Sequence, residues 1–256
     1  MVRYQVIIAY DGTEFSGLQR QANDRTVQGA MEQALRTIGW EGNSILAAGR
    51  TDAGVHASGQ VAAFDFDWAH TPEDLQNALN ANLPADVAVW QVRVATDGFH
   101  PRYDAIKRTY HYHIFCQPHR DPLRERYAWR VWPAVAEELL EAASAKLVGT
   151  HDFAAFGTSP DDGGVTIRQV FAAEWQEAKW NPEGDGLVFK VTANAYLYHM
   201  VRRIVRLQVE VGQGWFAPQI VTEYLQAGSE RGMVPGLAPP NGLFLAAVEY
   251  PADDND

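Results

Sequence analysis

Side chains able to do chemistry concentrate in one stretch, Gly49-Arg50-Thr51-Asp52-Ala53-Gly54-Val55-His56-Ala57-Ser58-Gly59-Gln60-Val61. A carboxylate such as Asp52 can act as a nucleophile or accept a proton. If the chain is extended at Thr51, Arg50 and Asp52 point to one side, because side chains alternate. A guanidinium beside the carboxylate then favours its ionised form. The glycines permit positive φ and close approach by another backbone. Taken alone, Asp-Ala-Gly reads first as ordinary turn chemistry, and His56 as a hydrogen-bonded structural residue.

Other groups add to the inventory. In Thr109-Tyr110-His111-Tyr112-His113-Ile114-Phe115, Tyr110, Tyr112 and Ile114 share one strand face, which by pattern is a core face. His111 and His113 share the other; with no third ligand signalled, they read as a surface pair and not as a metal site. On a helix predicted from His199, the residues His199, Arg202, Arg203 and Arg206 line one face, and Met200, Ile204, Leu207 and Val211 form the buried stripe. Such arginines usually cover a solvated face. Cys116 has no cysteine partner in the chain and reads as a small buried apolar residue.

The elements that position these groups follow from periodicity. Strands are expected at Tyr4 to Tyr10, Ser44 to Ala48, Gln60 to Phe66 and Val87 to Val94. Helices are expected after the caps Thr26 and Thr71. From Lys107 the pattern resumes with strands to Phe115, at Tyr127 to Trp132, Thr166 to Glu177, Leu187 to Ala195 and Leu243 to Tyr250. Helices are predicted at Val135 to Leu147, His199 to Val211 and Pro218 to Gln226. The result is two α+β halves, 1–104 and 105–250, followed by an acidic tail, 251–256, with the composition of a disordered segment.

Composition narrows the class. A chain of 256 residues with 46% hydrophobic and 11% aromatic residues is globular in type. No apolar run approaches the ~20 residues of a membrane span. Met1-Val2-Arg3-Tyr4 enters a strand pattern without a signal-peptide core, so a cytoplasmic location is expected. The net charge of −11 argues on average against a phosphate-rich partner. Locally the balance reverses: Arg102, Lys107, Arg108, Arg120, Arg124, Arg126 and Arg130 face only Asp104, Asp121 and Glu125 between residues 100 and 130. A focused basic groove on an acidic body is compatible with those numbers.

The segment from Gly49 to His56, continued by Gly59-Gln60-Val61, resembles the signature of the TruA family of tRNA pseudouridine synthases. Further similar pieces follow in the family's order: Tyr10-Asp11-Gly12-Thr13, Gln19-Arg20-Gln21, Asn80-Ala81-Asn82-Leu83-Pro84, Phe99-His100-Pro101-Arg102-Tyr103, Arg108-Thr109-Tyr110, Asn194 to Arg202, and Gly242-Leu243-Phe244-Leu245. A series of this length is more specific than any single motif. Leu18, Tyr198 and Arg206 depart from the pattern, where Trp, His and Gly are usual, and none lies in the Asp-centred motif.

The resemblance implies an α+β pseudouridine synthase fold, two ferredoxin-like subdomains whose mostly antiparallel sheets merge around a catalytic cleft. It implies isomerisation of uridine to pseudouridine in the anticodon stem-loop of tRNA, just 3′ of the anticodon, with Asp52 as the catalytic carboxylate and neither cofactor nor metal. Arg50 would fill the place of a flipped base, Tyr110 would stack on the uracil, and Arg202 would pair with the carboxylate. Arg203 and Arg206 become candidates for phosphate contacts. His56 and Leu245 join the substrate-binding set on the same basis. The implied partners are tRNA and a second copy of the chain. Two rival readings stand beside this one: a non-catalytic RNA-binding module using Tyr110 and Tyr112, and a metal-dependent hydrolase using Asp52 and His56.

Overall fold

The computed structural model describes residues 1–159, 163–179 and 185–251. The expected acidic tail lies outside them beyond Pro251. The described chain divides into two compact units, Met1–Ile106 with 244–251, and Lys107–Leu243. The junction falls next to the expected one. The final strand, expected in the second half, belongs to the first unit.

In the first unit the order is β1 (Val2–Tyr10), α1 (Val27–Thr37), β2 (Leu46–Ala47), β3 (His56–Phe66), α2 (Pro72–Asn82) and β4 (Val87–Val94). This is the β-α-β-β-α-β order of a ferredoxin-like unit. β1 runs antiparallel to both β3 and β4, and β2 antiparallel to β3. Alternation along β1 buries Tyr4, Val6, Ile8 and Tyr10 on one face. Both helices begin at a threonine whose hydroxyl accepts a backbone N–H: Thr26 from Gly29, and Thr71 from Asp74 in a capping box. α1 buries Val27, Met31, Ala34 and Leu35. The opposite sheet face is closed by a smaller cluster of Ala48, Val61, Ala63 and Phe99, with Tyr250 edge-on to Phe99.

The second unit contains β5 (Lys107–Cys116), β6 (Trp129–Val131), α3 (Glu137–Ser144), β7 (Gly149–Asp152), β8 (Ile167–Lys179), β9 (Asp185–Ala193), α4 (Met200–Gly212) and α5 (Gln219–Ala227). β5, β9, β8 and β7 pair in that spatial order, each antiparallel to the next, with β6 parallel to β5. Tyr112, Ile114, Phe189 and Val191 are buried in this unit together with Leu140, Ile204 and Leu207 of the helices. The last strand, β10 (Leu243–Glu249), pairs parallel with β3 in the first unit.

Differences from the sequence reading have local causes. β3 starts at His56, before the expected Gln60, because Ala57 pairs with Tyr10 and His56 with Phe244. β2 is shorter than Ser44 to Ala48, since the Ile45 N–H is drawn to the Glu32 carboxylate. β9 ends at Ala193, where the Asn194 side chain takes the N–H groups of Gln169 and Ala195. β7, Gly-Thr-His-Asp, is short and polar and carries no hydrophobic period.

Candidate active site

The early start of β3 shortens the chemical segment to a connection over residues 48–55. Its shape is fixed from several sides. The Tyr10 hydroxyl lies 2.7 Å from that of Thr51, both buried, and the buried Gln60 amide donates to Gly49 O at 3.0 Å. Leu18 N donates to Thr51 O at 3.1 Å, Gly54 N to Phe15 O at 3.3 Å, and Val55 N to Asp52 O at 3.2 Å, closing a turn in which Gly54 has φ 76°. Burial pushes the Tyr10 phenol up to about 12, against the contacts with Thr51 and Gln60. Down the loop Arg50 is exposed, Thr51 buried and Asp52 half-buried. Local alternation therefore turns Thr51 inward and leaves its two neighbours toward the surface.

Two glycines of the preceding segment press against this connection. A Cβ on Gly12 would stand 2.0 Å from Val55 O, and one on Gly17, at φ 97°, would stand 2.7 Å from Thr51 O. Only a residue without a side chain allows such approach. Leu18, where the family pattern has Trp, is itself buried.

His56 and Leu245, expected among the substrate contacts, are each 1% exposed. His56 Nδ1 accepts from Gly12 N at 3.0 Å and lies 3.2 Å from Asp11 Oδ1, while its ring stacks on Phe244 at 4.6 Å. Leu245 pairs with Ala57. Both side chains are packed into the frame that carries the connection.

In the second unit Tyr110 is half-buried, unlike Tyr112, which is sealed and donates its hydroxyl to Pro239 O at 2.7 Å. The Tyr110 ring rests edge-on against Tyr196 at 4.9 Å. Tyr196 is anchored by its hydroxyl to Val191 O. The core reading suits Tyr112; Tyr110 keeps a surface. On α4, His199 is the N-cap in left-handed conformation, φ 66°, with Tyr198 stacked on it at 3.6 Å. Arg202 Nε donates to Ala238 O at 2.8 Å. Arg206 forms an ion pair with Glu210 at 2.8 Å. Arg203 has its Nε buried without a hydrogen-bond partner, and burial, then Arg202, lowers its pKa. His111 and His113 lie 6.4 Å apart between ring centres, and burial, then Lys190, lowers the pKa of His111. Cys116 is half-buried, and burial raises its thiol.

Sequence reasoning did not assign roles to Tyr10, Gly12, Gly17 and Gln60, which build the seat of Asp52. The available signal was Tyr10-Asp11-Gly12-Thr13, whose glycine follows a strand end at the point where another backbone must pass. Among the described residues, no helix is long and apolar enough to cross a membrane, and no three His, Cys, Asp or Glu side chains are grouped as a metal site.

The family model described as tRNA pseudouridine synthase matches residues 6–104 and 143–251. Among curated proteins, the chain is similar to tRNA pseudouridine synthase A of Exiguobacterium sp., with 39% identity over 251 residues and 98% of each chain covered. It is similar to the protein of the same name from Thermosipho africanus, at 41% over 252 residues, covering 98% of this chain and 100% of the other. The Bacillus subtilis protein of that name is 36% identical over 251 residues, 97% of this chain and 99% of the other.

Proposed function

This chain belongs to the tRNA pseudouridine synthase family, and from that premise we propose that Asp52 is its catalytic carboxylate and the anticodon stem-loop the place where it acts. The reaction is isomerisation of uridine to pseudouridine in tRNA. Family membership in an enzyme class decides against the non-catalytic RNA module and the hydrolase.

The chemistry breaks N1–C1′, turns the uracil, and joins C5 to C1′; a proton leaves C5 and N1 gains one, so nothing is added or lost. A carboxylate suits this task, whether by attack on the sugar, attack on the base, or removal of the 2′ proton. The observation that carries the assignment to Asp52 is the seat of residues 48–55. Buried hydroxyl, amide and peptide contacts hold Gly49, Thr51, Gly54 and Val55 around Asp52, while Asp52 itself stays half-exposed. Rigid support of a reactive group is what positioning catalysis requires.

The remaining roles come from the family pattern. The target nucleotide must leave its stack, and exposed Arg50 is assigned to the vacated place. Tyr110 offers a ring face for the uracil and a hydroxyl for one directional contact. Arg202 is assigned as counter-charge to the carboxylate, and Arg203 as a phosphate contact, for which its unpartnered Nε is the support. A homodimer in the cytoplasm belongs to the same proposal; exposed Trp90, Trp132 and Trp215 supply apolar surface for a partner copy. Mass-resolved mapping of pseudouridine in tRNA incubated with the protein tests the substrate site. Product in the anticodon stem-loop is expected; product confined to another part of the tRNA would contradict it.

A further inference from the structure

Glu32 of α1 is fully buried, an expensive place for a charge unless it is paired and hydrogen-bonded. Its Oε2 meets Arg20 Nη1 at 2.5 Å and Arg36 Nη2 at 3.4 Å. Its Oε1 accepts from Gln28 Nε2 at 2.8 Å and from the backbone N–H of Ile45 at 3.2 Å. Gln28 extends the network: Arg20 N donates to its Oε1 at 3.0 Å, and its amide donates to the Ser44 hydroxyl at 2.8 Å. Arg20 Nη1 also donates to Asn43 O at 3.3 Å.

The two segments gathered here are those that flank the Asp52 connection. Arg20 lies just after Gly17 and Leu18, whose backbone abuts and hydrogen-bonds Thr51. Asn43 to Ile45 lead directly into β2 and thence to Ala48, whose N–H is bound by Val61 O. One carboxylate therefore ties the buttress of the connection and its entering strand to the same helix. Arg20 stands in Gln19-Arg20-Gln21, a motif that the isomerisation chemistry leaves without a role. We propose that Glu32 is a positioning residue of this enzyme, acting through Arg20 to hold the Asp52 connection in its reactive register. The proposal rests on the assignment of Asp52.

The test compares Glu32→Gln, Arg20→Gln and the double variant by kcat, KM and tRNA affinity. Leu225→Ala, in the core of the second unit, serves as a control that lowers stability alone. Glutamine keeps the size of Glu32 and removes its charge. Each single variant is expected to lose about ten- to hundred-fold in kcat with little change in KM, the signature of a misplaced reacting group. The double variant should lose no more than the worse single one, because both act through one contact. Arg20→Gln leaves Glu32 bonded to Gln28, Ile45 and Arg36, and so keeps the test open if Glu32→Gln does not fold. A kcat loss no larger than that of Leu225→Ala overturns the proposal, as does a rise in KM with kcat retained, which would make Arg20 an RNA contact. An inactive Asp52→Asn beside fully active Glu32→Gln and Arg20→Gln removes this proposal alone; an active Asp52→Asn removes the assignment beneath it.

Discussion

At the scale of residues, Gly12 and Gly49 bracket what the connection tolerates. Gly12 faces Val55 O at a distance no Cβ can accept, whereas nothing lies within 4 Å of a Cβ on Gly49. Gly12→Ala must push residues 52–55 aside and is expected to lower turnover by about a hundredfold, with about 1–3 kcal/mol of overpacking cost. Gly49→Ala should stay within about two-fold of the parent, since its Cβ meets nothing; steady-state kinetics with thermal unfolding compares the two. Equal losses would show that steric contact at Val55 does not set the register. Tyr10 adds a pH signature. Below pH 10.0, the ordinary phenol value, both folded and unfolded states are protonated; between that and about 12 the unfolded chain ionises first. Its share of stability is therefore lost as pH rises through that window, about 2–3 kcal/mol at most. Tyr10→Phe should be less stable at neutral pH by about 1 kcal/mol, yet lose less than the parent between pH 9 and 12 in denaturant titrations. Buried Tyr112 and Tyr196, also raised by desolvation, retain part of the alkaline loss in both proteins.

At the scale of elements, α4 separates arginines that the sequence placed together. Their shared face was legible from the 3.6-residue period, and so was the buried stripe of Met200, Ile204, Leu207 and Val211. What the period could not convey is pairing: Glu210, one turn on, already neutralises Arg206. Arg203→Gln is therefore expected to lower the slope of log Kd against log salt by about one, and Arg206→Gln to leave it unchanged while costing some stability. The reverse result would place Arg206 on the RNA. Elsewhere, caps and alternation were read with near-correct bounds, as at Thr26, Thr71 and Val87–Val94. Elements fixed by long-range partners were not: β3 gains its first turn of ladder from Tyr10 and Phe244, β2 loses Ile45 to Glu32, and β7 exists only as a partner of β8. The same split applies to the site. Asp52 is legible as a candidate from its motif, whereas the places of Gly12, Gly17 and Gln60 depend on contacts between segments distant in sequence. His56 is legible as a residue of the motif, whereas its burial depends on Phe244 and Gly12, partners distant in sequence.

At the scale of the whole molecule, a chain with net charge −11 must hold tRNA through local arginines, so binding should weaken steeply with salt despite the acidic total. Sedimentation at micromolar concentration is expected to give twice the chain mass of 28.5 kDa. A persistent monomer would contradict a docking surface shared by two copies. The central claim is that Asp52 performs the isomerisation. Its most direct measurement is pseudouridine formed by Asp52→Asn on a tRNA anticodon stem-loop, with tRNA affinity and thermal unfolding recorded on the same sample. Asparagine keeps size and a carbonyl acceptor but is a poor nucleophile and a negligible base. The predicted result is no detectable product, an unfolding temperature near that of the parent, and tRNA bound at least as tightly, because a negative charge has left a phosphate-binding surface. Substantial turnover by the folded variant, or loss of the fold itself, would contradict the assignment of Asp52 as the catalytic group.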